Sequence, residues 1–335
     1  MPSYALVLFF GCLGLAWAAT ELGFWTQDPL RQITLMKTTP PSYNPYHEFN
    51  EWVNLYFFRY SGLDWLPTMI MTYFGGLGWS NAEDVSYYAI CYVRDLVAGS
   101  AVYWGTAGVW HFVIYTVLGQ RIFDANNRKR PTMEMIIGQM KLAQASLLIY
   151  AGLPVLSEYL IESGFTRVYF FIDEVGGWGW YAAYLLAYIA VVEIGIYWMH
   201  RTLHTNKFLY KYVHKLHHQY HTPEELSPWA SIAFNPLDGI LQACPYVIAL
   251  FFVPCHYFTH VSLLFFSGVW ATNIHDSVPG DSEPIMGAKY HTIHHTKFNY
   301  NYGQVCRACA LAPSLCTFIR STDRSPNPPP SFSTR

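Results

Sequence analysis

The sequence predicts an all-α integral membrane protein with about four transmembrane or re-entrant helices and a cytosolic helical cap that carries clustered histidines. Three observations point there. Hydrophobic residues make up 52% of the 335-residue chain, aromatics 18% and charged residues only 13%, about half the charged share of an ordinary soluble domain. Apolar runs recur at the lengths a bilayer requires. Between and after them, histidines return in three short clusters. The net charge of -2 gives no reason to expect nucleic acid, and seven scattered cysteines do not suggest a disulfide framework. Cys306 and Cys309 form a lone C-x-x-C without the second pair that a zinc site uses.

Residues 1–85 read as an N-terminal extension. Its first part, 4–19, is a short apolar run ending in small residues, which fits a cleaved signal, an anchor or an extra span. The rest is rich in Pro, Tyr and Trp, and His47 reads there as a surface side chain in a loop. Spans are expected at Leu96–Leu118, at Leu142–Ile161 and at Trp178–Met199. His111, inside the first, reads as a packed or interfacial side chain. The second is interrupted by Pro154 and carries Glu158, which reads as structural. The third leads straight into His200. A further apolar stretch, 237–272, is broken by Pro245 and Pro254 and fits a hairpin of two thin spans or two re-entrant arms.

Parity tests this layout. Two spans separate the basic loop holding Arg121, Arg128, Lys129 and Arg130 from the basic section holding Arg201, Lys207, Lys211 and Lys215. Both therefore lie on one side, and the positive-inside rule makes that side cytosolic. The hairpin returns the chain to the same side before His291.

The histidines carry the chemistry. HRTLH spans 200–204, HKLHH 214–218 and HTIHH 291–295. On a helix, residues three and four apart share a face. His200 and His204 are then one turn apart, His214, His217 and His218 crowd one side of the next helix, and His291, His294 and His295 do the same on a third. Eight imidazoles exceed one zinc site and are enough for two metal ions. Imidazole suits iron, copper, zinc and nickel alike. None of the clusters has the glutamate of H-E-x-x-H, so an oxygen-activating iron pair at the membrane surface fits better than zinc hydrolysis. Haem would need one or two axial ligands, not three sets. His256 and His260 repeat the H-x-x-x-H spacing, but they sit near the turn of the hairpin, on the far side from the clusters. His221, one turn past the second cluster, reads as surface.

HRTLH, HKLHH and HTIHH on this apolar layout resemble the fatty acid hydroxylase and sterol desaturase superfamily of membrane di-iron enzymes. The strings VVEIGIYWMHRTLH, LSPWASIAFNPLDGILQA, WATNIHDSVPG and GAKYHTIHHTKFNYNYGQ are similar to those of sterol C5-desaturases of the plant or algal type. The resemblance covers about 88–304, so 86–304 reads as the desaturase domain. It implies a Δ7-sterol 5(6)-desaturase of the endoplasmic reticulum membrane, acting on a sterol in the bilayer with O2. Electrons would come from NADH through cytochrome b5 and its reductase. Two irons would be held by His200, His204, His214, His217, His218, His291, His294 and His295, with His275 as a ninth ligand. The histidine clusters alone do not separate desaturation from hydroxylation.

Three carboxylates are candidates for supporting the ligands. Glu193 lies seven residues before His200 within a span, where a carboxylate marks a functional site by default, and Asp238 and Asp276 are similar cases. The chain departs from the family in two places. Asn235 stands where the pattern F-H-P-x-D-G has histidine, which leaves a catalytically silent sterol-binding relative as an alternative. After Gln304 the family's continuation is absent, and 305–335 reads as a divergent, disordered tail rich in Pro and Ser.

Overall fold

The computed structural model describes residues 44–126, 128–276, 287–298 and 301–303. Two sequence expectations, for the apolar run at 4–19 and for the tail with Cys306 and Cys309, lie outside them.

Helix α1, Pro45–Ser61, starts where Asn44 accepts hydrogen bonds from the backbone of Tyr46 and His47 with Pro45 behind it, and it stops at Gly62 in the left-handed region, φ 73°. Helix α2 is Trp65–Gly76. Helix α3, Ala82–His111, continues through a π-helical turn, Phe112–Val117. Thr132 caps α4, Met133–Tyr150, and α5 follows at once as Gly152–Glu162, with Pro154 in its first turn. Helix α6 is Trp178–Thr205. The apolar hairpin consists of α7, Pro236–Ala249, and α8, Tyr257–Ile274, and α9 is Ala288–Lys297. The only strands among the described residues are Val168–Tyr169 and Cys255–His256, a two-residue parallel pair that ties the α5–α6 loop to the hairpin turn.

Two stretches are long and apolar enough to cross a membrane, 133–162 and 178–205, and 82–117 with 119–126 makes a third if that pair, bent by 72°, counts as one span. The chain is therefore a helical membrane protein. Helix α3, the first expected span, begins at Ala82 rather than near Leu96: Glu83 and Asp84 in its first turn are exposed, and Arg94 further along is paired inside the protein. Arg94 bonds Glu158 of α5, Asp95 at 2.8 Å and Asn54 of α1 at 3.0 Å. His47 departs from expectation as well. It sits on α1, half-buried, with Nδ1 3.2 Å from Glu162.

Helix α6 runs six residues past the expected end at Met199. Its 28 residues extend about 42 Å, more than the roughly 30 Å hydrocarbon core. The turns bearing His200 and His204 thus emerge at one membrane face. Small residues set the packing behind them. A Cβ at Gly195 would meet Pro245 Cβ at 2.8 Å, and one at Gly239 would overlap the Phe234 ring and reach Tyr150 at 3.1 Å. These contacts bring α7 hard against α6 and α4, with Tyr188, Val192, Ile196 and Tyr246 buried in a core that Leu263 of α8 completes.

Candidate metal centre

The segment between α6 and α7 is not the regular helix that the HKLHH spacing suggests. It is a π-turn, Tyr210–His214, then a 3-10 turn, His217–Gln219. Its continuation is anchored from outside: Tyr103 donates to the Trp229 carbonyl at 2.9 Å, Gln139 to the Glu225 carbonyl at 2.7 Å, and Ser146 to the Phe234 carbonyl. The three expected clusters do meet, but they divide.

His200, His204, His214, His218 and His294 form one group, and His217, His275, His291 and His295 form another, with all ligand atoms of a group within 4.8 Å of each other. The division follows from chain geometry. Residues four apart point the same way and adjacent ones diverge by about 100° on a helix. His214 and His218 join one group while His217 turns to the other, here across a junction of π and 3-10 turns rather than along a regular helix. His291 and His295 pair in the second group while His294 turns to the first. Each H-x-x-H-H motif bridges both groups.

The donor set fits metal. His204, His214 and His218 bring their Nε2 atoms 2.8, 3.1 and 3.1 Å apart. His275, His291 and His295 do likewise at 2.9 and 3.1 Å. Two nitrogens about 2.1 Å from a shared ion and at right angles to each other lie about 3.0 Å apart. The protons point outward. Nδ1–H of His214 donates to Asp238 at 2.8 Å, that of His200 to the Tyr302 carbonyl at 3.0 Å, that of His275 to the Ala271 carbonyl at 2.7 Å and that of His295 to the Tyr220 carbonyl at 3.1 Å. Each of these rings then aims an Nε2 lone pair inward, and lone pairs packed at 3 Å require a cation between them. His200 Nε2 is buried with no hydrogen-bond partner among the described residues. Burial, reinforced by neighbouring imidazoles, pushes His217, His218, His291 and His295 well below the usual histidine range, so they are neutral as ligands must be.

Of the three carboxylates, Asp238 holds a ligand ring directly and is itself held by Gln242 at 2.9 Å. Glu193 is buried on α6 near Tyr246, and Asp276 is buried next to His275 in the chain. Both lie outside the two groups. Asn235 is outside them too. Its Oδ1 accepts from the Leu237 amide at 2.9 Å and its Nδ2 donates to the Tyr212 carbonyl at 3.3 Å, so it caps α7. The outward partners Tyr302, Tyr220 and Ala271 act through backbone carbonyls, for which a sequence carries no side-chain signal. His221 is exposed.

His256 and His260 stay apart from both groups. His260 is fifteen residues before His275 along α8, about 22 Å. Both of its ring nitrogens are used, by Tyr188 at 2.9 Å and Ser157 at 3.0 Å.

A cavity of about 380 Å³ lies beneath the second group. His200, His217, His275 and His291 form its metal end, and α3, α5, α7 and α8 supply mostly apolar walls.

Fold and site thus define a membrane protein with two adjoining histidine groups suited to an iron pair. The chain belongs to the fatty acid hydroxylase and sterol desaturase superfamily, and within it resembles the sterol C5-desaturases. The Fatty acid hydroxylase family matches residues 185–309. An Arabidopsis thaliana protein provisionally named Delta(7)-sterol-C5(6)-desaturase 2 is 43% identical over 221 residues, 66% of this chain and 78% of that one. The Delta(7)-sterol-C5(6)-desaturase of Nicotiana tabacum is 43% identical over 212 residues, 63% and 77% of the two chains. The lathosterol oxidase of Rattus norvegicus is 33% identical over 208 residues, 59% and 67%. No solved structure matches significantly.

Proposed function

We propose that this chain is an oxidoreductase that introduces the C5–C6 double bond into a Δ7-sterol at the endoplasmic reticulum membrane. The observation that carries the reading is the apolar cavity ending on His200, His217, His275 and His291. It gives an unactivated C–H bond of a membrane lipid direct access to an all-histidine centre. Its volume suits a lipid-sized molecule.

In the balanced reaction the sterol loses one hydrogen from C5 and one from C6. O2, two electrons and two protons complete the conversion to two waters. The electrons come from NADH through cytochrome b5 and its reductase, docking at the cytosolic face on which α6 emerges. His200, His204, His214, His218 and His294 hold one iron, and His217, His275, His291 and His295 the other. When bound, the iron pair supplies the activation of O2 that cleaves the C–H bonds. Asp238 and the carbonyls of Tyr302, Tyr220 and Ala271 keep the imidazoles in the tautomer that binds metal. The cavity walls orient the ring system and exclude water from the reacting carbons.

Hydroxylation is the second reading, favoured by the Fatty acid hydroxylase match itself. Expression in a cell lacking C5-desaturase, with sterols analysed by mass spectrometry, separates the two. The proposal predicts loss of the Δ7-sterol and gain of a Δ5,7-sterol. A hydroxylated lipid would establish the second reading, and an unchanged profile with two irons bound would establish a silent relative.

A further inference from the structure

At each end the cavity has buried polar atoms with no hydrogen-bond partner among the described residues. At the far end, Asp95 and Glu158 pair with Arg94 through one oxygen each, and their other oxygens, Oδ2 and Oε2, have no hydrogen-bond partner among the described residues. They lie at the level of Ser157 and His260, and so about 22 Å from His275 along α8. At the metal end it is Ser231. Its side chain is 3% exposed, its Oγ has no hydrogen-bond partner among the described residues, and it lines the cavity. Ser231 stands three residues before Phe234, whose ring lies 6.1 Å from that of His217.

A buried hydroxyl without a partner costs free energy unless something fills the role. Sterol chemistry says which end recognises the substrate's own hydroxyl. That group is on C3, two bonds from C5. When C5 and C6 face the histidines, the hydroxyl stays at that end of the cavity, away from the carboxylates at the level of His260, and within reach of the segment that carries Ser231 and Phe234, whose ring packs near His217. The alkyl tail then extends down the apolar shaft toward α5 and α8.

We propose that Ser231 Oγ is the hydrogen-bond partner of the sterol C3 hydroxyl, and that this contact sets which carbons face the metal centre. The inference rests on the sterol reading above. Its backbone position does not depend on Oγ, because the turn is closed by the Ser231 amide and the Pro228 carbonyl at 3.4 Å. The side chain can therefore be changed without breaking the turn.

The test is equilibrium binding to the purified full-length protein in lipid nanodiscs. The probes are lathosterol, a Δ7-sterol, and the same sterol lacking its C3 hydroxyl. Wild type is expected to bind lathosterol about tenfold more tightly, the worth of one buried hydrogen bond. Ser231→Ala is expected to bind both alike, at the wild-type affinity for the deoxy sterol, and Ser231→Thr to keep the preference. Retention of the preference in Ser231→Ala overturns the assignment and leaves the sterol reading intact. Loss of it in Ser231→Thr as well would assign the effect to shape rather than to the hydroxyl, and overturn it too. A wild type that binds neither probe overturns the sterol reading together with this one.

Discussion

His200 and His204 share their spacing with His256 and His260, yet the two pairs have opposite fates. The first pair lies inside one continuous helix, on the turns that emerge from the bilayer, and both rings join a metal-sized group. The second pair does not share a helical face, because α8 begins only at Tyr257 and His256 sits before it, in the strand pairing with Val168–Tyr169. His260 spends both nitrogens on Tyr188 and Ser157. An imidazole is available to a metal when at least one ring nitrogen is left unspent: His200 and His214 commit only Nδ1 to an acceptor, whereas His260 commits both nitrogens. Spacing alone does not settle that.

The largest expected effects break this contrast at the ligands. His214→Ala, in the first group, and His217→Ala, in the second, should each drop desaturation to background and lower iron content. His256→Ala should keep both, and equal losses from His217→Ala and His256→Ala would mean that the topology is wrong. Next comes the support for His214. Asp238→Ala should weaken iron binding by about 10- to 100-fold, measured by competition with a chelator. Gly239→Ala forces a methyl against Phe234 and Tyr150 and should cost about 1–3 kcal/mol, read as a lower unfolding temperature. The smallest effect belongs to Asn235. Asn235→Ala removes a helix cap worth about 1 kcal/mol while leaving the iron content unchanged. Loss of iron there would return Asn235 to the metal site.

The membrane class and the helical fold could be read from the sequence, because apolar runs long enough to span announce themselves. Their boundaries were harder. Glu83, Asp84, Arg94 and Asp95 make the start of α3 look soluble, although Arg94 is buried in a network with Glu158 and Asn54. Eight of the ligand candidates followed from three- and four-residue spacing, and His275 from the family resemblance. Their division into two groups did not, since 207–219 folds as tight π and 3-10 turns rather than a uniform helix. Among the carboxylates, burial in a span singled out Glu193, whereas the residue that touches a ligand is Asp238, placed by the helix start at Pro236 and the close approach at Gly239. The carbonyls that orient His200, His275 and His295 leave no trace in residue type.

The most direct test of the two-group centre is the iron content per chain of the purified full-length protein, for wild type, His218→Ala and His260→Ala. The expected result is two irons in wild type and in His260→Ala, with fewer in His218→Ala. One iron per chain in wild type, or a loss in His260→Ala equal to that in His218→Ala, would contradict it.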